Sequence, residues 1–545
     1  MNFRVSEATE KLLASLYKSD SFWRRLVSFD AQLKVIAEIE STGEPGAIAD
    51  LLPIVITQSR TAVQAAAMAI HKLLQCLDAD DYPQFDEWAR QSSPNWQARR
   101  SPWYSMKPAD VAHLAGLQEV SMSLLGIASG HANGRIREAA VRHLARSNRG
   151  AELPFLLLRA NDWVAEIRLL AKDLLATRIR PDYARYFLMW LPLVLRLNQA
   201  RRCDHSPMIK SILGLLRSSE AAPALQEGFG SPSRAIRRFC YETALKEAHH
   251  DIALVVRSAQ AEPDPRIRLV AAVALRTLPP SDVQQILLAR ARKDSFASVR
   301  HQSLRIYAER YPDRARAEFR AALLDSNASI REAAQTFLRT EAGFDLRSFY
   351  GQALGLPNGA EIAGAILGLG ETGIVDDGVV IERFVSDTRP RIRRSALRAL
   401  ARLRPTAFLK VFLAALEDSS GSVATEARAA LAQFATSVGG KRLWEIFEQC
   451  EFSHGRRATL FLLARLGKWD SISLLVQALG DRDESVAAQA GRYISRWMVR
   501  YNRVFATPTR EQMISLRNAL GRYDLLVGRN LRRELESMMK SFETA

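Results

Sequence analysis

Between residues 387 and 403 the chain reads Asp-Thr-Arg-Pro-Arg-Ile-Arg-Arg-Ser-Ala-Leu-Arg-Ala-Leu-Ala-Arg-Leu. Ile392, Ala396, Leu397, Leu400 and Leu403 fall at helical spacing, and Arg394, Arg398 and Arg402 fall on the opposite face. The pattern predicts an amphipathic helix, entered through a Ser-Asp-Thr-Arg-Pro turn that cannot continue a preceding helix but can cap the next. The same register recurs at Ile136-Arg137, Ile167-Arg168, Ile236-Arg237, Ile267-Arg268, Val299-Arg300, Ile330-Arg331 and Ile392-Arg393. Ile362-Ala363, Val423-Ala424 and Val486-Ala487 keep it without the arginine. From 236 to 423 the intervals are 30 to 32 residues, and a fixed period of this size predicts stacked repeats. The gap from 423 to 486 leaves room for one further unit around Gly455-Arg456-Arg457-Ala458. Between 167 and 236 the repeat is stretched by Arg180 to Pro207, which holds the apolar run Phe187 to Leu195 interrupted by Pro192.

Six residues before the anchor arginine position stands an acid: Asp162, Glu262, Asp294, Asp325 and Asp387, and likewise Asp418 and Asp481 ahead of two alanine anchors. With segments such as Leu466-Gly467-Lys-Trp-Asp-Ser-Ile-Ser-Leu-Leu-Val-Gln-Ala-Leu479, this spacing resembles the HEAT and HEAT-like (phycobilin-lyase type) repeats over roughly 126 to 498. The resemblance implies an all-α, curved right-handed α-solenoid of two-helix repeats. It also implies that the turn acid and the second-helix arginine form a structural ladder between neighbours, so the anchor arginines are not counted as a binding face.

The expected organisation is a helical N-terminal cap over 1–125, HEAT-like repeats of about 31 residues over 126–498, and a helical C-terminal cap over 499–545. Within the first cap, Asp86 to Pro108 gathers Ser, Pro and three tryptophans and reads as a long loop; Trp96, Arg99, Arg100 and Trp103 are candidates for touching a partner.

Composition narrows the function classes. The formal charge of +17, carried mostly by arginine, favours acidic partners, nucleic acid (DNA or RNA) first. Four scattered cysteines without a CxxC pair argue against a disulfide framework and a zinc ribbon. No run approaches a membrane span and the first residues lack a signal-peptide core, so a cytoplasmic, soluble protein is expected.

Candidate chemistry is sparse. Gly368-Leu-Gly370-Glu-Thr-Gly373 matches GxGxxG but follows no strand, and no Walker loop, HExxH or Ser-His-Asp set is visible, so no cofactor, metal or catalytic residue is assigned. Some HEAT-like solenoids are alkylpurine DNA glycosylases, and by that resemblance Asp162-Trp163 and Trp190 are the local candidates for an acid and tryptophans. Residues five and nine after the anchor position are often basic: Arg142, Arg305, Arg398 and Arg492, then Arg146, Lys246, Arg402 and Arg496. In a HEAT-like stack these would line the concave side, in a region near 135–146 and a stronger one over 391–503. Asp173, Glu242 and Glu309 interrupt the middle. Arg394, Arg500, Arg503 and the interleaved Trp497 complete the expected nucleic-acid surface. The leading expectation is a non-catalytic scaffold binding nucleic acid; the alternatives are a protein–protein adaptor binding an acidic partner and, as a minor one, a glycosylase-like enzyme.

Overall fold

The computed structural model describes residues 3–17, 29–57, 60–91, 103–117, 120–247, 250–340, 343–503 and 506–543. Every regular element among them is helical, and the chain forms two compact units, 1–291 and 292–545. The fold is an α-solenoid built from tandem helix pairs. The boundaries expected at 125 and 498 lie inside these units.

In the first unit the anchor-bearing second helices are Gly134–Leu144, Ala165–Ala176, Arg234–Ala244 and Pro265–Ala274. In the second they are Ala297–Arg310, Ala328–Arg339, Gly359–Thr372, Pro390–Leu403, Gly421–Leu431, Ser453–Leu463 and Glu484–Arg500. Each anchor branched residue is buried: Ile136, Ile167, Ile267, Val299, Ile330, Ile392, Val423 and Val486 are at most 1% exposed. The pattern therefore places one apolar stripe per helix against its neighbours, where burying each side chain contributes about 1.5–3 kcal/mol.

The ladder is present and joins neighbouring repeats, but the acid six residues before each arginine is not its carboxylate partner. Five of these arginines reach the carboxylate of the following turn, 25 residues on: Arg137 to Asp162, Arg237 to Glu262, Arg300 to Asp325, Arg393 to Asp418 and Arg456 to Asp481. Their Nη1 instead donates to the backbone carbonyl six residues back, as Arg300 does to Asp294 O (2.8 Å) and Arg393 to Asp387 O (2.8 Å). The turn acid then accepts a backbone N–H two residues ahead, as Asp325 does from Asn327 (2.8 Å). One guanidinium thus closes two turns, which satisfies loop carbonyls that would otherwise be orphaned. Arg456 confirms the unit suspected between 423 and 486; Gly455 in front of it hid the anchor pattern.

The ladder changes partner at Arg331. The repeat after Arg331 has Leu356 where the acid should stand, so Arg331 reaches Glu371 instead, 40 residues on (Nε, 3.0 Å). That repeat's second helix, Gly359–Thr372, is held by close backbone approach. A Cβ on Gly364 would lie 2.0 Å from Leu324 O, and one on Gly370 2.7 Å from Ala399 Cα. A Cβ on Gly368 would lie 2.2 Å from the Tyr350 ring, so two of the three glycines of GxGxxG, Gly368 and Gly370, serve helix packing.

Asp86 to Pro108 is not one long loop. Tyr82–Gln91 is a helix, Trp88 packs on Phe3 and Phe85 (centroids 5.5 and 5.9 Å), and a 3-10 turn starts at Pro108. Trp103 is 3% exposed, and its carbonyl meets His131 Nε2 at 3.1 Å, so it belongs to the core and cannot touch a partner. Trp96, Arg99 and Arg100 lie outside the described residues.

Candidate partner-binding surfaces

Several of the arginines nominated from sequence are engaged by the protein's own carboxylates. Arg142 bonds Glu138 through Nε and Nη2 (3.0 and 2.8 Å), Arg305 sits 3.5 Å from Glu309, and Arg402 sits 3.9 Å from Glu371. Arg398 takes both oxygens of Glu426, with Nε at 2.9 Å; this holds its charge on more firmly through the hydrogen bond, against burial. Arg394 is half-buried and, with Arg391, Arg398, Ala363 and Leu367, lines a hollow of about 340 Å³ in the second unit.

On the helix Glu484–Arg500, Arg496 lies over the Tyr493 ring at 5.9 Å. Trp497 is turned inward, correcting the expectation of a surface on which bases stack. Its Nε1 donates to Lys468 O (2.8 Å), and its ring packs against Trp469 and Tyr501 at 5.8 and 5.3 Å. Arg492, Arg500 and Arg503 are exposed and have no carboxylate partner among the described residues.

The acid proposed for glycosylase-like chemistry is consumed. Asp162 is 3% exposed and accepts from Arg137 Nε and Nη2, both at 3.0 Å, and from Arg159 Nη1 at 3.3 Å. The Arg90 and Arg137 guanidinium carbons each lie 4.2 Å from the Trp163 ring centroid. Asp162 Oδ1 also accepts from Val164 N–H (2.9 Å), so the carboxylate's four acceptor sites are all engaged and none is left to activate water, which removes the acid nominated for the minor enzymatic reading.

A surface that sequence did not nominate as a whole lies in the first unit, where the repeat is stretched. Pro192 cannot donate the N–H that would carry a helix onward, so Ala184–Met189 stops and Leu191–Arg196 begins afresh, with Trp190 between them at φ −98°, ψ 18°. The break leaves Met189 56% exposed and sets Trp190 edge-on to Tyr82 (4.9 Å, 71°), which in turn meets Phe155 (5.8 Å). Met189 and Trp190 form a ridge with a hollow on each side. One, about 970 Å³, carries Asp78, Asp80 and Glu227 beside Arg185, Arg234 and Arg238. The other, about 960 Å³, is lined by aromatic side chains together with His71, His143, Arg146 and Arg149, and by no Asp or Glu among the described residues.

The basic rim of that second hollow is held in place from beneath. Arg178 donates to Ala145 O (3.2 Å) and Ser147 O (2.7 Å) and to Glu152 (2.8 Å), and Glu152 also accepts from Tyr183 Oη (2.7 Å) and Ser147 Oγ (3.0 Å). Glu152 and Tyr183 are fully buried, and Arg178 nearly so. Burial opposes ionisation of Glu152, but hydrogen bonds from Arg178 and Tyr183 outweigh it and hold the carboxyl below its usual range. Burial, then the bond to Glu152, pushes the Tyr183 hydroxyl up to about 12. Gly150 closes the turn at φ +85°, and a Cβ there would lie 2.3 Å from the Tyr186 ring, so only glycine lets Tyr186 lie on this loop. His71 is fixed by Gln75 Nε2 on its Nε2 (2.9 Å) and by Ser123 Oγ on its Nδ1 (2.7 Å). Burial, and then Arg146, depress the His143 pKa, so that ring is neutral near pH 7.

No family model and no curated protein matches the chain. Among solved structures it is similar to the Kap95:Nup1 complex, at 14% identity and a TM-score of 0.36, covering 98% of this chain and 82% of that one. It is also similar to the condensin Cnd3-Cnd2 subcomplex of S. pombe, at 12% identity and a TM-score of 0.32, over 98% of this chain and 86% of that one. A third is yeast importin-β (Kap95p), at 12% identity and a TM-score of 0.30, over 95% and 67%. No described helix is long and apolar enough to cross a membrane.

Proposed function

We propose that this chain is a non-catalytic, HEAT-like scaffold that binds protein partners, and that the hollow beside Trp190 is a principal contact surface. The observation that carries the reading is the chemistry of that hollow. It joins an exposed methionine and a half-buried tryptophan to cations without carboxylate partners among the described residues, on a turn held by Arg178 and the buried Glu152. Aromatic residues, Met and Arg are the side chains that protein interfaces favour, and a pre-ordered loop lowers the entropy lost on association. Pairing of Arg142, Arg305, Arg398 and Arg402 with internal carboxylates supports the same reading, because it shortens the cationic track available to a phosphate backbone. A reducing cytoplasmic setting is part of the proposal, in keeping with four free cysteines, of which burial pushes Cys240 up to about 12.

Cross-linking of the protein in lysate, with the cross-linked peptides mapped by mass spectrometry, tests the reading. Partner cross-links should be proteins and should fall around 143–151 and 186–190; nuclease treatment should leave them unchanged. Loss of every partner on nuclease treatment would return nucleic acid to first place. That second reading rests on Arg492, Arg500 and Arg503, exposed near the end of the array.

A further inference from the structure

Resting on the scaffold reading, we propose that the hollow between the Met189–Trp190 ridge and the 145–150 turn takes an acidic linear segment of a partner protein. One bulky apolar side chain seats against Trp190, and its flanking carboxylates meet Arg146 and Arg149.

Three observations fix the occupant. The first is size: about 960 Å³ is the scale of a pocket that encloses a side chain and its neighbouring backbone, not a flat protein face. The second is the floor. Tyr82, Phe155, Tyr186 and Trp190 offer rings with Met189 at the lip, and a thioether that adapts its shape beside rigid aromatics suits a bulky apolar group. The third is charge. Arg146 and Arg149 are exposed and, among the described residues, have no carboxylate partner and border a hollow with no acidic lining residue. Across the ridge, Asp78, Asp80 and Glu227 line the adjoining hollow, while two of its three arginines, Arg234 and Arg238, are bound to Asp264. A nucleic-acid backbone continuing over the ridge would run its phosphates into those carboxylates, whereas a peptide can end its acidic stretch at the ridge. Charge complementarity of this kind sets register and raises the association rate.

The test uses the full chain and a fluorescein-labelled acidic peptide with one central phenylalanine among aspartates and glutamates, read by anisotropy. Saturable binding is expected. Replacing the phenylalanine of the probe by alanine should weaken it at least about tenfold, since burying such a side chain contributes about 1.5–3 kcal/mol. Replacing its acids by amides should weaken it comparably. Met189→Glu and the pair Arg146→Glu/Arg149→Glu, all at exposed positions that leave the core intact, should each weaken it about tenfold or more. Arg492→Glu/Arg500→Glu, in the other unit, should change it less than about twofold if the site is local and not a response to net charge. Failure of the probe to saturate, equal binding of the amide probe, or equal loss in the Arg492/Arg500 variant each overturns the proposal. So does displacement of the probe by an unlabelled oligonucleotide of equal charge at lower concentration, which would make nucleic acid the occupant. Protein cross-links that map elsewhere while the probe fails would sink this inference and leave the scaffold reading standing.

Discussion

Asp162 shows why a side chain with an inviting position can be unavailable for chemistry. Its two oxygens are shared by Arg137, which is itself fully buried, and by Arg159, which also bonds Asp86. Removing the carboxylate strands two guanidiniums away from water. Asp162→Ala is expected to lose about 3–5 kcal/mol of stability, measured by urea denaturation, because an uncompensated buried charge is costlier than the pair it came from. Arg137→Lys should not spare the fold, since an ammonium cannot span both oxygens and two backbone carbonyls with one rigid fork. Glu152 gives the corresponding acid titration. Its folded pKa lies below the ordinary glutamate value of about 4.3, so its stabilisation is fully present above that value and is lost as the pH falls through the folded pKa. Thermal melts of the parent chain and Glu152→Gln should therefore differ most near neutrality and converge in acid.

At the scale of the element, helices and their register were legible because each second helix repeats one branched anchor and one arginine at a nearly constant interval. The direction of the ladder was not. Sequence places an acid six residues before each arginine, but the arginine's length and its exit from the helix carry the fork to the next turn, 25 residues on, and offer its own turn only one nitrogen. Arg456 was legible only as a gap in the count, because Gly455 replaced the branched anchor. Trp103 and Trp88 misled for a different reason: Ser, Pro and Arg surround them, yet Phe3, Phe85 and His131 supply neighbours remote in sequence. The Trp190 hollow was half visible. The Pro192 interruption announced an irregular repeat, but the convergence of Tyr82, Arg149 and Trp190 depends on packing that no local spacing encodes. A consequence for the ladder can be measured: Asp418→Ala should raise hydrogen exchange in Pro390–Leu403 and Gly421–Leu431, the helices its rung joins, while Ser453–Leu463 and Glu484–Arg500 keep their protection.

For the whole molecule, the ladder means that the 76 lysines and arginines overstate the free cationic surface, because each rung sets one arginine against one acid, while the formal charge of +17 leaves net attraction for polyanions. Oligonucleotides should therefore associate weakly and without sequence preference. If Arg492, Arg500 and Arg503 supply the contacts, about three phosphates are neutralised, the logarithmic salt slope should be near −2.7, and affinity should fall about fortyfold from ~50 to ~200 mM salt. Fluorescence anisotropy with duplexes of unrelated sequence would check this; a strong preference among them would contradict it.

The glycine contacts of Gly359–Thr372 imply uneven mechanics within the second unit. Attraction between atoms packed backbone to backbone falls by about a quarter to a half over the first ~0.5–1 Å of separation, whereas a guanidinium can follow its carboxylate through rotamer changes while the helices separate. Pulled from its two ends, the unit should yield gradually at the rungs of Arg300, Arg393 and Arg456 and abruptly where Gly364 meets Leu324 and Gly370 meets Ala399. The repeat whose second helix is packed backbone to backbone is then a brittle joint among more compliant ones, and in an optical trap Gly364→Ala, by wedging that joint apart, should abolish its sharp rupture and leave the slower extensions in place.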